Sequence, residues 1–151
     1  MVSYPDTSFL VSLYLDEATT ELTINYVNRA GVKLAYTPFH RLEVRTALRL
    51  RVFRQDISTQ ELGSIFRQID EQIQDGILEH TPLVWADALR EAERLGEAHL
   101  TEIGVRSGDL LHVASAVVLG AREFVTFDQR QTKLARRAGL KVKAWRLGKQ
   151  G

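Results

Sequence analysis

The amino-acid sequence predicts an α/β protein of three layers, with a mainly parallel central sheet flanked by helices. Short apolar runs that favour strands alternate along the chain with longer stretches of helical periodicity. The three prolines, Pro5, Pro38 and Pro82, fall near the boundaries between these segments. With 151 residues and a 44% hydrophobic composition, the chain is expected to form one domain over residues 1–151.

The first unit of the pattern is a strand followed by a helix. The strand is predicted at residues 1–4, and Asp6, Thr7 or Ser8 can cap the helix that follows. The apolar positions of that helix are Phe9, Leu10, Leu13 and Tyr14. The first acidic residue therefore lies at a strand-to-helix turn.

A second unit begins with a strand at residues 33–37 and continues through Pro38 into a helix. Glu43 lies early in this helix, whose apolar residues include Leu42, Leu48 and Phe53. Two further helices are predicted at about residues 58–75 and 83–100, separated by a short strand within residues 76–82.

The last third of the chain repeats the alternation. Asp109 lies in the first turn of an apolar helix that runs from Leu110 to Leu119 and ends at Gly120. The remaining predictions are a strand at 124–127 ended by Asp128, a helix at 131–138 and a final strand at 140–145. Because parallel sheets carry their sites at the carboxyl ends of strands, Asp6 and Asp128 are expected at such a site.

The amino-acid composition limits the kinds of binding and catalytic site that the chain can form. The 20 basic and 19 acidic residues nearly cancel, so any nucleic acid would have to be held by a local patch. The absence of cysteine excludes disulfides, thiolate metal sites and cysteine nucleophiles. Acidic residues and Pro5 interrupt the N-terminal segment before a long apolar run develops, so neither a signal peptide nor a membrane span is expected and a cytoplasmic location is predicted.

Four acids at the ends of apolar segments, Asp6, Glu43, Asp109 and Asp128, could converge at one edge of the sheet. Their mutual repulsion would raise their pKa values unless a cation neutralised them. Carboxylates suit Mg²⁺ or Mn²⁺, and such an ion can activate water for hydrolysis of a phosphate ester. The number of ions stays open.

Each acid also has an ordinary structural explanation. Asp6 can be only an N-cap, Asp109 a complement to the helix dipole, Asp128 a turn residue and Glu43 part of a solvated helix face. Taken singly, these roles are favoured. The placement of all four at element boundaries favours a shared site.

At these residues the chain resembles the PIN-domain family, and within it the VapC-type ribonuclease toxins. The likeness spans nearly the whole chain and rests on four ordered motifs at residues 6–10 (DTSFL), 42–48 (LEVRTAL), 107–114 (SGDLLHVA) and 124–131 (FVTFDQRQ). The resemblance implies a PIN-like three-layer fold and Mg²⁺-dependent cleavage of RNA. It also implies that Asp6, Glu43, Asp109 and Asp128 bind the metal, with hydroxyl support from Ser8 and Thr126.

The resemblance further implies a homodimer and a cognate antitoxin whose tail enters the acidic site. Candidate partner surfaces are Leu10, Leu13 and Leu15 on one helix and Val52 and Phe53 on another, although core packing explains the same residues. His112 lies one turn after Asp109 but is interpreted as a packed, hydrogen-bonded core residue.

Glu43 is surrounded in the sequence by Arg41, Arg45, Arg49, Arg51 and Arg54, and Arg45 and Arg49 are spaced to share one helix face. These arginines are candidates to contact RNA phosphates or an acidic antitoxin segment, together with Arg130, Lys133, Arg136 and Arg137. A solvated face is the equally weighted alternative.

Two other functions fit the same residues. Asp6 could be the covalent nucleophile of a phosphatase or phosphoacceptor domain, although the second aspartate of an Asp-x-Asp motif is missing because Ser8 occupies that position. A non-catalytic PIN-like binding module is the other alternative, and the presence of all four acids argues against it.

Overall fold

Short parallel strands form the centre of the molecule, which a computed structural model describes for residues 2–29 and 31–145. The strands are β1 (Tyr4–Pro5), β2 (Leu34–Tyr36), β3 (Leu78–His80) and β4 (Phe124–Val125). β1 pairs with β4 and β2 pairs with β3, all in parallel. Parallel bridges from Ser3 to Leu34 and from Phe124 to Val142 join these pairs into the order β3–β2–β1–β4–Val142.

Seven helices are described around the strands. They are α1 (Thr7–Tyr14), α2 (Thr20–Val27), α3 (Pro38–Phe53), α4 (Thr59–Gln74), α5 (Trp85–His99), α6 (Ser107–Leu119) and α7 (Gln129–Arg137). None of the described helices has the length and apolar character needed to cross a membrane.

Capping residues explain where several helices begin and end. Asp6 caps α1 by accepting a 2.8 Å hydrogen bond from the backbone N–H of Phe9. Ser58 and Glu61 form a capping box at the start of α4. Gly120 ends α6 in the left-handed conformation at a φ of 62°, as its position in the sequence predicts.

Two apolar clusters lie on opposite faces of the strands. One contains buried residues of α1 to α4, including Phe9, Leu48 and Ile69. The other joins α5, α6 and α7 and includes Leu95 and Val113. The predicted three-layer α/β architecture with a parallel sheet is therefore confirmed.

Some predicted details are wrong. Helix α2 was not predicted because its buried face includes a polar residue, Thr23, whose hydroxyl bonds to the carbonyl of Thr19. The predicted final strand at 140–145 reduces to one bridge at Val142. Met1, which belongs to the predicted first strand, lies outside the described residues.

The apolar residues of α3 do not all face the core. Leu48 is buried, but Leu42 is 65% exposed and Phe53 is 84% exposed. The buried positions, His40, Val44 and Leu48, recur every four residues, and neither Leu42 nor Phe53 falls on that stripe. Leu10 and Leu13 on α1 and Leu15 at its C-cap, by contrast, are buried in the core and cannot serve as a partner surface.

Candidate active site

The carboxyl ends of β1 and β4 lie side by side. Asp6 directly follows β1 and Thr126 directly follows β4. From β1 the chain continues to β2 on one side, whereas β4 pairs on the other, so this position is the switch point of the sheet. Open parallel sheets bind their ligands at such points.

Asp6 is held at the switch point by hydrogen bonds to both of its carboxylate oxygens. Besides Phe9 N–H, the hydroxyl of Thr126 donates at 2.7 Å and that of Ser8 at 3.0 Å. Burial raises the pKa of Asp6, and the hydrogen bonds from Thr126, Phe9 and Ser8 oppose that rise. A side chain only 4% exposed, with both oxygens accepting, is poorly placed to be a covalent nucleophile.

A buried histidine ties α3 to the end of β1. His40 Nε2 donates to the carbonyl of Pro5 at 2.7 Å, and its Nδ1 accepts from Thr37 N–H at 3.0 Å. Burial, followed by the nearby His112, lowers the pKa of His40 to about 3, so this ring is neutral. Glu43 lies three residues further along α3 and lines the same pocket as Asp6.

Glu43 receives two hydrogen bonds on one oxygen. Thr7 Oγ1 and His112 Nε2 each donate to Oε1 at 2.6 Å. Partial burial raises the pKa of Glu43, but the bonds from His112 and Thr7 outweigh it and hold the pKa below its usual value. The other oxygen, Oε2, faces the first turn of α6, 3.5 Å from where a Cβ atom on Gly108 would lie.

His112 is 2% exposed and hydrogen-bonded through both ring nitrogens. With Nε2 donating to Glu43, Nδ1 accepts from the hydroxyl of Tyr4 at 2.9 Å. His112 is thus the packed, hydrogen-bonded residue that the sequence predicts. By donating to Glu43, His112 also holds a candidate site residue in place. The sequence did not reveal this second role.

Gln131 connects the remaining two acids. Its side-chain Nε2 donates to Asp109 Oδ1 at 2.9 Å, and its backbone N–H donates to Asp128 Oδ1 at 2.9 Å. Burial raises the pKa of Asp109, and the charges of Asp128 and Glu43 raise it further. Asp128 also caps α7, and its backbone N–H donates to Thr126 Oγ1 at 3.0 Å.

Asp6, Glu43 and Asp109 line one pocket of about 440 Å³ together with Ser8. Asp128 does not line this pocket and lies at its margin, linked through Gln131. Three of the four predicted acids therefore share a cavity, and the fourth supports it from outside.

The donor chemistry of the pocket fits a hard divalent cation, because it offers carboxylate oxygens and includes Asp109, whose pKa is raised by burial and then by neighbouring negative charge. Within residues 2–29 and 31–145, no group of three or more His, Cys, Asp or Glu side chains is arranged so that it could hold a metal ion. Mg²⁺ is compatible with such an open arrangement because it keeps several of its waters.

The family model of the PIN domain matches residues 3–137. The chain belongs to the PIN-domain family. PIN domains are generally nucleases, that is, hydrolases, and generally use divalent metal ions. No curated protein matches the chain.

Solved structures share this PIN fold at low sequence identity. One is VapBC2 from Rickettsia felis bound to a DNA fragment from their promoter, with a TM-score of 0.66 and 16% identity over 97% of this chain and 100% of that chain. Another is FitAcB from Neisseria gonorrhoeae, with a TM-score of 0.63 and 15% identity over 93% of this chain and 96% of that chain.

Three of the arginines singled out from the sequence of this PIN domain lie outside the acidic pocket. Arg45 and Arg49 do share a face, where their guanidinium carbons lie 4.3 and 5.3 Å from the ring centre of Phe66 on α4. Arg130 donates to the carbonyl of Gly104 at 3.3 Å. None of these three arginines lines the acidic pocket.

Further residues complete the pocket. Arg51 and Arg54, two of the arginines that surround Glu43 in the sequence, line it. Glu17, which the sequence did not single out, also lines it, and Thr7 and Gln131 bond directly to its acids. Thr7 was weighed only as a cap, although it adjoins Asp6. Gln131 follows Asp128 by three residues, the spacing at which a capping residue meets a backbone N–H, and this was the available signal.

Proposed function

We propose that this PIN domain is a metal-dependent endoribonuclease and the toxin of a type II toxin–antitoxin pair. The observation that carries the proposal is the convergence of Asp6, Glu43 and Asp109 on one pocket at the switch point of the sheet. Family membership supports hydrolysis of nucleic acid. Mg²⁺ is the proposed cofactor, with Mn²⁺ as the alternative, and RNA is the proposed substrate.

When bound, the ion would polarise a phosphoryl oxygen and supply an activated water. Within the described part of the chain, Glu43 Oε2 and Asp109 Oδ2 accept no hydrogen bond and would be available to hold the ion. Thr126 and Ser8 hold the Asp6 carboxylate at the same pocket, where it would contribute to binding the ion. Asp128 supports the site through Gln131 and contributes charge at the margin.

A cognate antitoxin and a homodimer are part of the same proposal. VapBC and FitAB, which have the same fold, are toxin–antitoxin complexes, and this supports an antitoxin partner for this chain. Exposed apolar side chains on α3 and α5, among them Leu42, Phe53 and Leu89, support protein–protein contact. We place the protein in the cytoplasm. Sedimentation of the purified chain tests the dimer.

RNA cleavage tests the function. The purified protein is incubated with cellular RNA and Mg²⁺ beside Asp6→Asn, Glu43→Gln and Asp109→Asn. An exposed acid outside the pocket, Asp87 on α5, provides the matched control as Asp87→Asn. The parent and the control should cut, and the three pocket variants should lose at least about 100-fold in rate.

Equal cleavage by all variants would refute the proposal. Binding of Mg²⁺ without turnover on any RNA would instead identify a non-catalytic PIN module. Mapping the cut positions on total RNA after induced expression, with Asp6→Asn as the control, would then define the target.

A further inference from the structure

Two arginines line the acidic pocket together with its carboxylates. Arg51 and Arg54, from the last turn of α3 and its C-cap, line the same cavity as Asp6, Glu43 and Asp109. An RNA strand entering this cavity would meet a cluster of negative carboxylates. Two guanidinium groups in the same cavity provide the compensating charge.

Arg51 is not free in the described structure. Its Nη2 donates to Glu17 Oε1 at 2.7 Å, and both side chains are partly buried, at 34% and 29% exposure. Glu17 lies in the connection between α1 and α2 and also lines the pocket. Arg54 is exposed and forms no ion pair within residues 2–29 and 31–145.

Helix electrostatics alone explains part of this arrangement. Cations near the C-terminus of α3 complement the helix dipole wherever their side chains point. The dipole does not explain why both arginines reach into the acidic cavity. It also does not explain why one pocket carboxylate, Glu17, is paired with an arginine while Glu43 and Asp109 are not.

We propose that Arg51 and Arg54 form a binding subsite for a backbone phosphate of the RNA substrate, and that Glu17 occupies Arg51 until a phosphate displaces it. This inference rests on the proposed ribonuclease function. A phosphate accepts the two parallel hydrogen bonds of a guanidinium as a carboxylate does, so the exchange conserves the bonding of Arg51. Arg54 adds positive charge to the subsite without the need to break an ion pair first.

The two partners of the ion pair should therefore have opposite effects on RNA binding. Glu17→Gln removes the competitor and should raise affinity about two- to fivefold, the range expected for a partly exposed pair. Arg51→Gln removes the guanidinium that would bind the phosphate and should lower RNA affinity about fivefold or more at low salt. If the ion pair only stabilises the fold, Glu17→Gln and Arg51→Gln should change RNA affinity in the same direction, because each breaks the same contact.

The experiment measures binding of a labelled single-stranded oligoribonucleotide in Mg²⁺ buffer over a range of salt concentrations. All variants carry Asp6→Asn so that the RNA stays intact. Arg51→Gln and Arg54→Gln should each reduce the slope of log affinity against log salt by about 0.7. Arg51→Lys, which keeps the charge, should restore the slope, and melting curves verify that each variant is folded.

A second ion pair supplies the matched control. Arg94 and Glu91 pair on α5, outside the pocket, and Arg94→Gln and Glu91→Gln should leave the slope unchanged. Effects of the same sign for Glu17→Gln and Arg51→Gln would overturn the subsite. Unchanged slopes for both pocket arginines, or an absence of RNA binding by the folded Asp6→Asn chain, would also overturn it.

Failure of the inference can be separated from failure of the function. Cleavage of RNA by the chain with Asp6 intact, together with unaltered slopes, would refute only the subsite. The predicted signs without cleavage of any RNA would leave a phosphate-binding pocket and refute the nuclease.

Discussion

His112 Nε2 donates a 2.6 Å hydrogen bond to Glu43 Oε1, while Nδ1 of the same ring pairs with the Tyr4 hydroxyl at 2.9 Å. Tyr4 and His112 are both buried in the core, so this chain of bonds connects the candidate site to the interior. One oxygen of Glu43 is fixed in place, and the other remains available to the pocket.

Replacement of His112 by Leu should weaken the candidate site without leaving a cavity or overpacking the core. The change leaves the buried Tyr4 hydroxyl without its partner and frees Glu43, so the free energy of unfolding should fall by about 1–3 kcal/mol. Loss of an orienting partner typically lowers metal affinity or activity by about 10–100-fold. Melting temperatures measured across a Mg²⁺ titration report both the loss of stability and the loss of Mg²⁺ affinity. His80→Leu, at an exposed histidine, is the control, and unchanged Mg²⁺ affinity in His112→Leu would show that His112 serves packing alone.

Asp109→Asn should stabilise the metal-free protein at neutral pH. Burial and the charges of Asp128 and Glu43 raise the pKa of Asp109 in the folded state. The folded state therefore holds the proton more tightly, and stability from this group falls as pH rises above the unfolded value of about 3.9. Urea unfolding in EDTA should show the advantage of Asp109→Asn shrinking as pH is lowered toward about 4. A difference that does not vary with pH would contradict the electrostatic explanation.

Mg²⁺ should stabilise the parent more than Asp109→Asn. An ion that binds only the folded state contributes about 1.4 kcal/mol at ten times its Kd, and this shift requires the pocket ligands. Thermal melts with and without Mg²⁺ measure the shift, and Asp87→Asn should respond as the parent does. Equal shifts in all three proteins would place Mg²⁺ elsewhere on the molecule.

Thr126→Val should be more damaging than Ser8→Ala. Thr126 is buried, donates to Asp6 at 2.7 Å and accepts from Asp128 N–H at 3.0 Å, so its loss should cost about 1.5–3 kcal/mol. Ser8 is exposed and its bonds to Asp6 are longer, so Ser8→Ala should cost less than about 1 kcal/mol. Chemical denaturation orders the two, and the reverse order would refute the assignment of Thr126 as the main support of Asp6.

Much of the site's framework could be predicted from the sequence because it depends on local signals. Asp6 at a strand-to-helix turn, Asp109 in a first helical turn and the stop of α6 at Gly120 are all recognisable from neighbouring residues. Parallel strands then bring their carboxyl ends to one edge, which places Asp6 and Thr126 together.

Contacts between distant segments could not be predicted in the same way. The spacing of Arg45 and Arg49 correctly predicts a shared face, but only the packing of α4 shows that this face lies over Phe66. Arg51 meets Glu17 across 34 positions of sequence, and His112 meets Glu43 across 69. Such pairs depend on how helices pack, which a single sequence does not specify residue by residue.

The central claim is that Asp6, Glu43 and Asp109 share a divalent ion. Anomalous diffraction from crystals of the protein grown with Mn²⁺ tests it most directly, because Mn²⁺ binds to oxygen ligands as Mg²⁺ does and scatters anomalously. We predict an anomalous peak inside the pocket bounded by these three carboxylates. A peak only at other positions, or none in the pocket at saturating Mn²⁺, would contradict the claim.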